Sequence, residues 1–99
     1  MAAQQTVLYP GSFDPFHLGH LDVAAQAASI FGRVVIAVMH NPEKPSGMFT
    51  IDERVKLVKE STAHLAGVTV EAHAGLAVDA ARKVSAACIV KSLRSATDF

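Results

Sequence analysis

The sequence lacks most features that mark disulfide-rich, membrane-bound or nucleic-acid-binding proteins. It holds one cysteine and no tryptophan in 99 residues, so no disulfide can form within the chain. Its formal net charge is zero, which argues against broad electrostatic binding to nucleic acid or to a membrane surface. No apolar run approaches the ~20 residues that cross a bilayer, and residues 1–5 lack the basic and apolar regions of a secretory signal. We therefore expect a cytoplasmic protein that binds neither a membrane nor a nucleic acid.

The residues that are present have the composition of a small globular domain. Hydrophobic residues make up 51% of the chain and charged residues 18%, which is typical of a folded protein. A chain of this length can bury one modest core, and no repeat or linker divides it. Cys88 lies in the apolar run 86–90, which predicts a small core residue rather than a nucleophile.

Apolar runs and helical spacing alternate along the chain. Short apolar runs predict strands at residues 7–9, 34–39, 68–72 and 87–90. Apolar residues at helical spacing predict helices between them, at residues 15–31, 51–65 and 76–84. The order β-α-β-α-β-α-β predicts an α/β fold, a Rossmann-like parallel sheet with helices on both faces.

Cap residues and apolar spacing indicate where these helices begin and which faces they bury. Asp14 before Pro15 predicts the cap and the first position of the first helix. Thr50 and Glu53 form a capping box at the start of the second helix, where Arg54 is predicted to pair with other charges at the surface. In the third helix, the residues predicted to face inward are Leu76, Val78 and Ala81.

Three polar clusters follow predicted strands, at residues 11–20, 41–44 and 91–94. Ligands of parallel sheets bind outside the carboxyl ends of the strands, near the switch in strand order. We therefore expect the three clusters to converge on one site.

The first cluster carries the most chemical information. Residues 9–20 place His17 and His20 three positions apart, after a Gly/Pro turn and at the start of a helix. A helix N-terminus offers free N–H groups and a partial positive charge to a phosphate, and an imidazole adds a hydrogen-bond donor. The His-x-Gly-His pattern therefore predicts nucleotidyl transfer. A zinc site from His17, His20 and His40 would lack a cysteine or a clear carboxylate partner, so we predict no metal site formed by the protein.

Four segments resemble one family, the phosphopantetheine adenylyltransferases of bacterial coenzyme A synthesis. They are residues 9–15 (YPGSFDP), 19–22 (GHLD), 48–54 (MFTIDER) and 90–99 (VKSLRSATDF). The resemblance implies an enzyme, a nucleotidyltransferase that converts ATP and 4′-phosphopantetheine into dephospho-coenzyme A and pyrophosphate. It also implies a homohexamer, coenzyme A as a further ligand, and Mg²⁺ as a cofactor bound mainly by the phosphates.

The resemblance also implies roles for individual residues. His20 would be catalytic and would stabilise the charge that develops at the α-phosphate. The residues implied to bind ATP are Ser12, Phe13, His20, Ser92, Leu93 and Arg94. The residues implied to bind phosphopantetheine are Ser12, Lys44, Ala77 and Lys91.

Three departures from the family pattern leave other functions open. His17 stands where threonine or serine is common, and the His-x-Gly-His form is more typical of nicotinate-nucleotide adenylyltransferases and cytidylyltransferases. Lys91 stands where arginine is frequent, which keeps the charge but loses the bidentate fork. The sequence stops at Phe99, before the C-terminal part of the family fold, so we expect residues 1–99 to be one truncated nucleotidyltransferase domain. The alternatives are a nicotinate-nucleotide-type enzyme and an inactive fragment that binds nucleotide or oligomerises.

Overall fold

The computed structural model describes residues 4–43 and 49–91, in which strands and helices alternate. The strands are β1 (Gln5–Gly11), β2 (Gly32–His40), β3 (Val68–Ala74) and β4 (Cys88–Ile89). The helices are α1 (Leu18–Phe31), α2 (Ile51–Thr62) and α3 (Ala77–Lys83). The predicted order of elements is confirmed in this part of the chain, where no helix is both long and apolar enough to cross a bilayer.

The four strands form one parallel sheet in the order β3-β2-β1-β4. In the centre, Tyr9 of β1 pairs with Ile36 of β2, and Leu8 pairs with Ile89 of β4 on the other side. The chain runs outward from β1 to β3 and then returns to the opposite side of β1. The strand order therefore reverses between β1 and β4, and in such sheets this reversal opens a crevice at the carboxyl ends of the strands.

Alternate side chains of the central strands enter two separate cores. Tyr9 and Ile36 are buried on the face that packs against α1 and α2. Leu8 and Ala37 lie on the opposite face, where Ala80 of α3 packs against them. Burial on both sides explains the near-continuous aliphatic run of β2 and confirms the prediction of helices on both faces.

Two predictions about the α3 side of the sheet are wrong. Leu76 is 66% exposed and Val78 46% exposed, because Leu76 is the extended residue before the helix and Ala80 occupies the inward position. Ala81 does pack against the core as predicted. Cys88 is exposed rather than buried, since β4 lies at an edge of the described sheet and pairs with β1 through two residues.

Candidate active site

An open cavity of about 550 Å³ lies at the reversal of strand order, against the turn between β1 and α1. Its lining residues are Tyr9, Pro10, Gly11, Ser12, Phe13, Asp14, Pro15, His17, His20 and Lys91. A larger groove of about 720 Å³ extends from Thr6 and Arg33, near the amino ends of β1 and β2, along β3 as far as His73. Because parallel sheets bind ligands at the carboxyl ends of their strands, we assign the candidate site to the smaller cavity.

The start of α1 is capped by two histidines. Nδ1 of His17 accepts a hydrogen bond from the Gly19 N–H at 3.0 Å, and the His17 N–H donates to Nδ1 of His20 at 3.1 Å. The pair is a capping box built from imidazoles, with His17 as the extended cap residue. The prediction that Asp14 caps this helix is wrong, because its carboxylate accepts a hydrogen bond from the Phe49 N–H instead.

This arrangement sets the protonation state of His20. A neutral imidazole carries one N–H, and Nδ1 of His20 is an acceptor, so we assign its proton to Nε2. Burial of the ring, together with the electrostatic effect of His17, lowers the pKa of His20 below its ordinary value of 6.5. His20 is therefore neutral near pH 7 and keeps one donor for a ligand.

The Phe13 ring packs against the His20 ring. The backbone of Phe13 has a left-handed φ of 50°, and its side chain is buried. The ring meets Tyr9, Phe16 and His20 edge to face, with centroids 5.3, 5.5 and 5.0 Å away. Gly11 is needed here because a Cβ at that position would lie 2.8 Å from the Phe13 ring. The aromatic contacts therefore join the end of β1 to the start of α1.

Arg54 binds the turn that lines the cavity, a contact that sequence reasoning missed. It is buried, and its Nη1 donates to the carbonyl oxygens of Ser12 at 2.8 Å and Met39 at 3.4 Å. The prediction that it lies at the surface is wrong. The sequence spacing could have indicated this burial. Arg54, Val58 and Thr62 are four apart, which places them on one face of α2, and all three are buried.

The cavity brings together part of the predicted ligand set. Ser12, Phe13, His20 and Lys91 all line it, and they come from the segments after β1 and β4. Ala77 begins α3 and is not among the described lining residues. The other residues with implied roles lie outside the described part of the chain: Lys44, Ser92, Leu93 and Arg94. Within residues 4–43 and 49–91, no three His, Cys, Asp or Glu side chains form a group that could hold a metal ion.

Comparisons with known proteins identify similar sequences. A family model described as cytidylyltransferase-like matches residues 8–99. The phosphopantetheine adenylyltransferase of Corynebacterium diphtheriae is 52% identical over 90 residues, which cover 91% of this chain and 57% of that protein. The phosphopantetheine adenylyltransferase of Synechococcus sp. is 49% identical over 92 residues, which cover 93% of this chain and 57% of that protein. The chain thus spans little more than half the length of these relatives, and the resemblance carried by the four sequence segments is confirmed.

A solved structure shares the architecture. The crystal structure of protein Rv1636 from Mycobacterium tuberculosis H37Rv matches with a TM-score of 0.59 and 19% sequence identity, over 98% of this chain and 79% of that chain. At this level of identity the likeness shows the α/β fold alone.

Proposed function

The chain belongs to the cytidylyltransferase-like family, and we propose that it forms the N-terminal portion of a phosphopantetheine adenylyltransferase. Two relatives of about 50% identity carry that name. The protein would transfer the adenylyl group of ATP to 4′-phosphopantetheine, giving dephospho-coenzyme A and pyrophosphate in a step of coenzyme A biosynthesis.

The position of the His20 ring is the observation that carries this proposal. A hydrogen bond to Nδ1 fixes the ring at the start of α1, in the cavity at the reversal of strand order, and leaves the assigned Nε2–H donor for a ligand. A phosphate bound there would also meet the positive end of the α1 dipole. Preorganised donors of this kind lower a barrier when charge develops on the oxygens they contact. His20 would thus stabilise the α-phosphate of ATP in the transition state.

The proposed reaction needs positioning and charge stabilisation rather than a protein nucleophile. An oxygen of the 4′-phosphopantetheine phosphate attacks the α-phosphorus of ATP and forms the new P–O bond. The bond between that phosphorus and the oxygen bridging to the β-phosphate breaks, and pyrophosphate leaves with the electron pair. The attacking phosphate is already an anion at neutral pH, so the step requires no general base.

Other residues would hold the two substrates. Lys91 lines the cavity and would bind the acceptor phosphate, and Ser12, which is exposed beside it, would contact both ATP and that phosphate. For the remaining residues the proposal rests on the resemblance: Phe13, Ser92, Leu93 and Arg94 for ATP, Lys44 and Ala77 for the acceptor.

Magnesium would neutralise phosphate charge in this reaction. The donor set of the cavity does not suit a protein-held Mg²⁺, because Asp14 supplies the one carboxylate among its described lining residues and this ion prefers oxygen ligands. We therefore propose that the nucleotide phosphates hold the ion.

The whole protein would act as a cytoplasmic homohexamer that also binds coenzyme A, as the resemblance implies. Nicotinate mononucleotide is the alternative acceptor that the His-x-Gly-His pattern suggested. His17, however, has a structural role in capping Gly19, which is the role that serine or threonine plays at other helix starts. Its presence therefore does not require a different acceptor.

An acceptor comparison tests the proposal. The full-length protein containing this chain, supplied with ATP and Mg²⁺, should release pyrophosphate with 4′-phosphopantetheine and only at the acceptor-free background rate with nicotinate mononucleotide. The reverse preference would establish the nicotinate-nucleotide-type enzyme. If neither acceptor gives pyrophosphate while calorimetry still detects ATP or coenzyme A binding, the protein is a nucleotide-binding protein without this activity.

A further inference from the structure

The β1–α1 turn (residues 12–16) is held from outside by the start of α2. Phe13 adopts a left-handed backbone, which a bulky residue keeps only where its surroundings enforce it. Hydrogen bonds hold the residues on both sides of Phe13. The Ser12 carbonyl accepts a hydrogen bond from Arg54 Nη1 at 2.8 Å, and the Asp14 carboxylate accepts one from the Phe49 N–H at 2.9 Å.

We propose that Arg54 is a positioning residue for adenylyl transfer. By holding the Ser12 carbonyl, it would keep the β1–α1 turn in the conformation that sets the ring of His20. This inference rests on the proposed function, because the reaction gives the position of His20 its catalytic meaning. Arg54 itself is not among the described residues that line the cavity, so its effect on a substrate must pass through the turn.

A short series of contacts joins Arg54 to His20. Arg54 is 4% exposed, and its Nη1 also donates to the Met39 carbonyl at the end of β2, which ties the turn to the sheet as well as to α2. From the turn, the buried Phe13 ring meets the His20 ring edge to face at 5.0 Å. A displaced Ser12 carbonyl would therefore move the Phe13 ring and, with it, the Nε2–H donor.

An arginine suits this position better than a lysine. Its planar guanidinium presents several N–H donors in a fixed fork, whereas a lysine ammonium is a flexible point charge. Substitution by lysine would keep the charge but loosen the hold on the turn. The proposal therefore predicts graded effects across Arg54→Lys and Arg54→Met.

The kinetic test uses the full-length protein and a matched control. Arg54→Met should lower kcat by about 10²-fold, the loss expected for a misplacement of about 1 Å, and should raise the KM for ATP by a smaller factor, because Ser12 and Phe13 of the same turn are proposed to contact ATP. Arg54→Lys should give a smaller loss of kcat. Lys56→Met removes a cation from an exposed position of the same helix and should match wild type. The proposal is wrong if kcat of Arg54→Met equals that of Lys56→Met.

A second readout does not depend on the reaction. In NMR spectra, the ring protons of His20 should shift in both Arg54 variants, because the ring current of Phe13 acts on them, and should stay unchanged in Lys56→Met. If Arg54→Met does not fold, Arg54→Lys decides, and unchanged kcat and unchanged His20 resonances in that variant overturn the proposal. If wild type shows no transfer to 4′-phosphopantetheine, the proposed function fails, while the NMR comparison still tests the positioning role.

Discussion

At the scale of single residues, the imidazole of His17 caps a helix in the place of the usual hydroxyl or carboxylate. Serine, threonine, aspartate and asparagine are the usual caps, because a short side-chain oxygen reaches an N–H of the first helical turn. His17 reaches the Gly19 N–H with Nδ1, while its own N–H bonds to His20. Although histidine departs from the family pattern at this position, His17 still caps the helix and orients His20.

Substitutions at His17 should separate capping from other roles. His17→Ser supplies a preferred cap, so the free energy of unfolding should stay within about 0.5 kcal/mol of wild type. His17→Val removes the acceptor and should cost about 1 kcal/mol. Urea denaturation followed by circular dichroism measures both. An equal loss in the two variants would show that His17 stabilises the fold by something other than capping.

The same serine variant tests the electrostatics of His20. The pKa of His20 in the folded protein is lowered by burial first and by His17 second, so it should lie below 6.5 in wild type and rise towards 6.5 in His17→Ser. The unfolded chain binds this proton more tightly than the folded one. The contribution of His20 to stability is therefore complete above pH 6.5 and is lost as the pH falls through the lowered value. An NMR titration of the ring checks the order, and a His20 pKa at or above 6.5 in wild type would contradict it.

At the scale of elements, short sequence motifs predicted the start of a helix correctly where neighbouring residues make the capping contacts. The capping box of Thr50 and Glu53 forms as predicted, with both hydrogen bonds present at the start of α2. The start of α1 was placed too early because histidine is not a usual cap residue and Asp14 resembles one. The buried face of α3 was misassigned in part, because Leu76 precedes the helix, where helical spacing does not apply, whereas Ala81 packs against the core as predicted.

The junction of β2 and β3 offers a prediction about backbone packing. Gly67 has a φ of 79°, and a Cβ there would clash with the Gly32 carbonyl oxygen, whereas Gly75 has a similar φ of 92° with nothing within 4 Å. Gly75→Ala should therefore cost only the left-handed strain of about 1–2 kcal/mol. Gly67→Ala should cost a further ~1–3 kcal/mol from the clash. Thermal denaturation compares the two, and equal losses would mean that the backbone at Gly67 moves freely away from β2.

At the scale of the whole molecule, the order of strands and helices could be predicted from the sequence, but hydrogen bonds between residues far apart in the chain could not. The alternation of elements predicted that three polar clusters meet at one sheet edge; the cavity contains residues of the clusters after β1 and β4, but none of the described residues 41–43. The bond from Arg54 to Ser12 joins residues 42 positions apart, and no local pattern reports such a contact. The spacing of Arg54 with Val58 and Thr62 could have indicated burial, but not the carbonyl that it binds.

The most direct test of the account is the kcat of His20 variants in the full-length protein, measured by pyrophosphate release with ATP and 4′-phosphopantetheine. His20→Asn keeps a side-chain oxygen that can accept the His17 N–H but removes the Nε2–H donor, so it separates catalysis from helix capping. Both His20→Asn and His20→Ala should lower kcat by about 10²–10³-fold while the KM for ATP changes only a few-fold. His64→Ala, at an exposed histidine beyond α2, should behave as wild type. Wild-type kcat in His20→Asn would contradict the central claim that the Nε2–H of His20 stabilises the transition state.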